Sequence, residues 1–217
     1  MKIKWLGHSC FLLEESTGTK VVTDPYSCEV GHKMPQVEAD AVTISHNHKD
    51  HNNAADVLGN PEIISSVGAF EVDGIHIYSI PTFHDDSNGK IRGGNLIFKF
   101  RLDGVEVCHL GDIGQECSAN ILDAIGSTNV LIIPVGGNFT IDADTAKDYV
   151  DKIMPDIVIP MHYKTENCVY NIDYVEDFLD YFEEDCITYI EGNELELDRT
   201  QFDRDFETKV IVFESLE

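Results

Sequence analysis

Ser45-His46-Asn47-His48-Lys49-Asp50-His51 is the stretch on which the reading of this chain turns. It follows directly on Asp40–Ser45, an apolar, β-branched run that reads as a strand. In extended backbone, residues two apart point to the same side, so His46 and His48 can offer their imidazoles to one cation. If the chain then bends, Asp50 and His51 can face a second position close by. Imidazole and carboxylate are donors that suit Zn²⁺ and are tolerable for Mn²⁺ or Fe. A solvated polar loop is the plain alternative. It is the poorer account, because four ligand-type side chains seldom crowd a strand end by chance in a chain with nine histidines.

Working outward, the first half of the chain is strand-rich. Lys2–Leu6 and Cys10–Glu14 are short apolar runs split by Gly7-His8-Ser9, and Thr19–Thr23 ends at Asp24-Pro25. Pro61–Ser65, Gly74–Ile80, Asn95–Arg101 and Val105–Leu110 continue the pattern, with Asp103-Gly104 as a hairpin turn between the last two. Asp85–Gly94 is the loosest segment, polar and glycine-rich. In the second half, helices are expected over Ala119–Ile125, capped by Ser118, and Ala143–Met154, capped by Asp142. A third is expected over Asp173–Glu184, where Phe178 and Phe182 read as core. Val130–Val135, Ile157–Met161 and Lys209–Phe213 read as strands. No linker or repeat interrupts 1–217, which is taken as one domain.

Composition narrows the function. The chain has 15 basic and 40 acidic residues, a formal net charge of −25, which argues against a nucleic-acid partner. No run is long and apolar enough for a membrane span, and Met1–His8 reads as a first strand, not as a signal peptide. The six cysteines form no CxxC pair and read as reduced thiols in a cytoplasmic protein.

His46-x-His48-x-Asp50-His51 resembles the signature of the metallo-β-lactamase superfamily. Trp5-Leu6-Gly7-His8-Ser9 followed by Val21-Val22-Thr23-Asp24-Pro25 resembles the opening of its UlaG-like branch of Zn-dependent hydrolases. Pro81-Thr82-Phe83-His84-Asp85, Leu110-Gly111-Asp112 and Ile159-Pro160-Met161-His162-Tyr163 follow in the same order, so the resemblance runs from Lys2 to Tyr163. It implies an α/β fold, the four-layer αββα sandwich, and a site for two divalent metal ions, zinc being the expected metal. By that resemblance His46, His48 and His84 hold the first ion, Asp50, His51 and His162 the second, and Asp112 bridges them. Each ion then keeps an open position for a shared water or hydroxide. Asp24 is the candidate for orienting a ligand histidine from outside.

Asp50, Asp112 and His8 are the residues expected to act in the chemistry, His8 as a proton donor or a supporting group. His109 competes with His84 as third ligand; the polar loop around His84 favours it over the apolar run that holds His109. Gly136–Thr140 could line a cleft, while Tyr163, Lys164 or Arg92 could meet an anionic group of the substrate. The expected activity is hydrolysis of an ester, lactone or phosphodiester of a small metabolite by hydroxide held between the two ions. A di-iron redox protein and a non-catalytic metal-binding module of the same fold are the competing readings. The metal's identity, the substrate and the oligomeric state are not legible at this level.

Overall fold

The computed structural model describes residues 1–202 and 207–214. Its strands are β1 (Lys2–Gly7), β2 (Cys10–Glu14), β3 (Lys20–Thr23), β4 (Ala41–Thr43), β5 (Glu62–Ile64), β6 (Gly68–Val72) and β7 (Ile75–Phe83). They continue as β8 (Gly94–Leu102), β9 (Val105–His109), β10 (Val130–Pro134), β11 (Ile157–Met161), β12 (Ile187–Ile190), β13 (Glu194–Glu196) and β14 (Lys209–Phe213). The α-helices among the described residues are α1 (Ala119–Ile125), α2 (Ala143–Ile153) and α3 (Glu176–Leu179).

The strands form two sheets, ordered β13-β1-β2-β3-β4-β5 and β12-β14-β11-β10-β9-β8-β7-β6. In the first sheet the period-2 pattern divides the side chains between two cores. Ile3, Phe11, Leu13, Val21 and Ala41 join the core that also holds Ile77, Phe98, Phe100 and Val107 of the second sheet. Their neighbours Cys10, Leu12, Val22 and Val42 turn to the opposite face, where Tyr26, Val30, Met34 and Val57 cover them. Each apolar side chain so buried contributes about 1.5–3 kcal/mol, so both faces of this sheet carry stability. The outer cover here is built from loop and the 3₁₀ turns Cys28–Val30 and Ala54–Asp56, whereas α1, α2 and α3 add their apolar faces to the core of the second sheet.

β6 through β9 run as an antiparallel meander, and β9, β10, β11, β14 and β12 are parallel. Asp103-Gly104 makes the expected hairpin with positive φ at both residues (50° and 74°). Asp73-Gly74 makes the same kind of turn (φ 44° and 98°) between β6 and β7, and β6 was not anticipated. β12 and β13 were also not anticipated. β7 runs through Pro81 to Phe83, beyond the expected end at Ile80. Pro81 is tolerated because β6 pairs only as far as Ser79, and the partner Leu96 sends its own N–H to Ser45 instead of across the pair.

The third helix is a single turn, not Asp173–Glu184. Asp173 is held at both backbone groups by Gly136 and Lys164, so the helix starts late. Asp180, Glu183, Glu184 and Asp185 then crowd its C-terminal side, where the helix dipole disfavours negative charge. Phe178 and Phe182 still pack edge to face at 5.0 Å. The six cysteines are free; Cys28 is exposed and the rest are buried. No helix among the described residues is long and apolar enough to cross a membrane.

Candidate metal centre

One rule of position covers the site: its side chains stand just beyond the C-terminal ends of strands. His8 follows β1, Asp24 follows β3 and the His46–His51 segment follows β4. His84 follows β7, Asp112 follows β9 and His162 follows β11. Within each sheet these strands run the same way, so their ends open on one rim, where α/β sheets bind ligands. The bond from Leu96 N to Ser45 O (2.9 Å) ties the second sheet to the first immediately before the histidine cluster.

The backbone is bent hard at this rim. His8, Asp24 and His162 hold φ of 52°, 42° and 53°, a left-handed conformation that costs a non-glycine residue about 1–3 kcal/mol. Two glycines allow the close approach. A Cβ on Gly136 would strike the carbonyl of His162, and one on Gly111 would lie 2.6 Å from Ser45 Cβ.

Asp112 is the hub. Its Oδ2 lies 3.2 Å from Nε2 of both His51 and His162, 3.5 Å from that of His84 and 3.8 Å from that of His46. His46, His48 and His84 form one group, with ring centroids 4.5–5.1 Å apart. Asp50, His51 and His162 form a second, joined by His8, whose donor atoms lie within 4.8 Å of one another. Thus every residue the sequence marked as a ligand is brought to one place. Burial, and then the neighbouring His51, push the His46 imidazole down to about 3; burial likewise lowers His84, and with His162 pushes His8 down to about 4. These rings are therefore free bases at neutral pH, the form a cation requires. Burial disfavours the charged form of Asp112, yet the imidazoles of His162 and His51 hold it well below the usual carboxylate range.

Support comes from residues outside this ring. Asp24, fully buried, accepts from Ser45 N (2.7 Å) and Ser45 Oγ (2.5 Å), and its Oδ2 lies 3.0 Å from His51 Nδ1. Ser45 Oγ also contacts His46 Nδ1 at 2.9 Å, so one carboxylate orients both imidazoles. Asn95 was missed in the sequence. Its Oδ1 accepts from Asp112 N (3.0 Å), while its Nδ2 donates to Leu110 O and Thr82 Oγ1 (both 2.9 Å). Asp85, next to His84, organises the loop that follows. Burial opposes its ionisation, but the backbone N–H groups of Arg92, Ile91, Gly89 and Ser87 hold its carboxyl at about 2 and pin the 85–94 loop. An Asx residue opening a glycine-rich stretch was the available signal.

The lesser candidates divide. Both ring nitrogens of His109 are engaged by the backbone of Ser9 (2.9 Å) and Gly111 (3.2 Å), away from the donor groups. Tyr163 is buried, stacked on Trp5 at 6.0 Å, and Lys164 donates to the carbonyls of Cys168 and Tyr170. Neither faces the cleft, so the expectation of an anion contact there is corrected: both are spent on holding the chain around His162. Arg92 does face it, braced over Phe139 (5.4 Å) and bonded to Asn138 O (3.1 Å). The cleft, about 250 Å³, is lined by His48, Asp50, His84, Arg92, Asp112, Phe139 and Tyr170.

The donor set fits divalent metal ions. Among the described residues, Nε2 of His8, His46, His51 and His162, Nδ1 of His84 and His162, and Oδ1 of Asp112 are buried without a hydrogen-bond partner. A buried polar atom left so costs about 1–3 kcal/mol. Divalent cations would satisfy Nε2 of His46, His51 and His162 together with the Asp112 carboxylate, and an imidazole–carboxylate set suits zinc.

The family model for the "Beta-lactamase superfamily domain" matches residues 2–162. A metal-dependent hydrolase from Thermococcus onnurineus is 30% identical over 194 residues, covering 76% of this chain and 85% of that protein. A Thermotoga maritima protein, provisionally described as a Zn-dependent hydrolase of the metallo-β-lactamase superfamily, is 40% identical. Its crystal structure superposes with a TM-score of 0.80, covering 98% of this chain and 97% of that one. A metallo hydrolase from Ignicoccus hospitalis, 21% identical with a TM-score of 0.67 and covering 91% and 99% of the two chains, shares the fold.

Proposed function

The chain belongs to the metallo-β-lactamase superfamily and is a metal-dependent hydrolase, and from this premise we propose that it cleaves an ester, lactone or phosphodiester of a small anionic metabolite at a two-cation centre. The observation that carries the reading is the meeting of two donor groups at the Asp112 carboxylate, beside an open cleft. His46, His48 and His84 would hold one cation, Asp50, His51 and His162 the other, and Asp112 would be shared. Bound there, a cation pair supplies Lewis acidity and brings the pKa of solvent toward neutrality.

The side chains divide the remaining work. Asp24 and Ser45 fix the rings of His51 and His46 before substrate arrives. Asp50 and Asp112, both facing the cleft, orient the attacking solvent. Arg92 stands at the cleft wall to meet a phosphate or carboxylate, which favours an anionic substrate in a protein whose formal charge of −25 would otherwise repel one. Phe139 and Tyr170 give the wall an apolar share. In the reaction the solvent oxygen bonds to carbon or phosphorus, the bond to the leaving oxygen breaks, and one solvent proton ends on that oxygen.

Two measurements test this. Elemental analysis of protein purified without chelator is expected to find about two equivalents of zinc, manganese or iron; a visible absorption band from bound iron would favour the redox alternative. A panel of lactones and activated phosphodiesters is then compared between wild type and His48→Ala, with loss of at least about a hundredfold expected in the variant. Equal turnover of every substrate by both proteins would remove the reading.

A further inference from the structure

His8 has no role in the donor set that would hold the cation pair, yet its surroundings are built. It sits in the tight turn between β1 and β2, with its φ of 52° following Gly7 at 108°. The turn is pinned on both sides: Trp5 Nε1 donates to His8 O (3.0 Å), and Ser9 O lies 2.9 Å from His109 Nε2. The ring packs against His162 (4.3 Å between centroids), His51 (5.4 Å) and Tyr170 (5.9 Å). Its side chain is 1% exposed, and Nε2 has no hydrogen-bond partner among the described residues.

The neighbour Nε2 faces is Asp50 Oδ2, at 3.7 Å. That is too long for a hydrogen bond. It is the separation of two atoms bound to one cation, roughly 3–4 Å for bonds of about 2.0–2.2 Å. His51 Nε2 lies 3.8 Å from the same oxygen. His8, Asp50, His51 and His162 thus offer four donor atoms mutually within 4.8 Å, against three from His46, His48 and His84. The cleft separates the groups further. His48 and His84 line it, but of the four-donor group only Asp50 does.

We infer that His8 is a further ligand of the second cation, a fifth beside Asp50, His51, His162 and the shared Asp112, which makes that position a closed, holding site and leaves the position of His46, His48 and His84 as the one that meets substrate. The inference rests on the two-cation reading. With Asp112 counted at both, the second position has five protein donors and the first has four; a holding site fills its coordination with protein side chains, whereas a catalytic one keeps a position open for solvent or substrate. Asp112 couples the two, so the closed site acts as a fixed anchor for the carboxylate that the open site shares.

The test is metal binding in the intact protein. Zn²⁺ titration of the wild-type apoprotein is expected to show one tight and one weaker equivalent, at least about a hundredfold apart. His8→Gln is expected to weaken the tight equivalent by at least about a hundredfold, beyond the ten- to hundredfold that losing an outer support costs. His48→Ala is expected to weaken only the other. Unchanged tight binding in His8→Gln, or an effect confined to the weaker equivalent, overturns the assignment. A second measurement needs no variant. In wild-type protein loaded with spin-half cadmium, the His8 Nε2 nitrogen resonance should be split by the metal, and an unsplit resonance overturns the assignment even if the variant does not fold. A wild-type stoichiometry of one refutes the cation pair separately, and the splitting at His8 still decides whether His8 binds the ion that remains.

Discussion

Asn95 reaches no donor ring and yet sets where Asp112 stands, because its amide oxygen accepts the Asp112 N–H while its amide nitrogen holds Leu110 O. Asn95→Ala leaves a buried donor and a buried acceptor without partners. A stability loss of about 2–4 kcal/mol is expected in urea unfolding, with weaker metal binding beside it; a loss under about half a kcal/mol would show that the loop holds itself. Arg92→Ala tests recognition instead of assembly. KM is expected to rise about tenfold for substrates bearing a phosphate or carboxylate and to stay level for neutral esters, with kcat little changed. At this scale the donors were legible because His and Asp in a dense string have few other reasons to gather. Asn95 and Ser45 were not. Lone amides and hydroxyls occur throughout any chain, and what distinguishes these two is burial, which exists only once the sheets have closed.

Elements whose signals lie within a few residues were legible, and those made by distant partners were not. α2 declares itself through Asp142, whose side chain accepts from Thr145 N at 2.9 Å, and through the buried stripe Ala146, Tyr149, Val150 and Ile153. That cap also gives a pH signature. The Thr145 backbone N–H and hydroxyl hold the Asp142 carboxyl below its ordinary value. A depressed folded pKa means the stabilisation is full above the unfolded value and is lost as pH falls through the folded one. Asp142 is exposed, so the contribution is set at the capping scale, about 1 kcal/mol. Asp142→Ala should therefore be less stable than wild type by about that amount at pH 7, and the gap should begin to narrow as pH falls below about 4 and go on narrowing through the depressed folded value; a gap of constant size down to about pH 2 would show that the cap is not the cause. β13 is the opposite case. Its Glu194-Leu195-Glu196 carries almost no strand signal, and it is a strand because Lys2–Lys4 lies opposite and Leu195 packs on the core.

Over the whole molecule, the donors are drawn from both sheets and span His8 to His162, so the site is a seam between the two halves of the sandwich. Cations bound there favour the folded state alone. Excess Zn²⁺ at about a hundred times Kd is expected to add about 2.7 kcal/mol per site, or roughly 5–10 °C in Tm for a protein of this size, read by calorimetry with and without chelator. A Tm indifferent to zinc would mean that the donor groups hold no ion in the folded protein. The parallel order of the second sheet has one more effect, on biosynthesis. β11 must leave the ribosome and dock beside β10 before His162 reaches the other imidazoles. A nascent chain cut short of that point carries His46, His48, Asp50, His51, His84 and Asp112 but lacks His162, so the second donor group is completed only once β11 has been made.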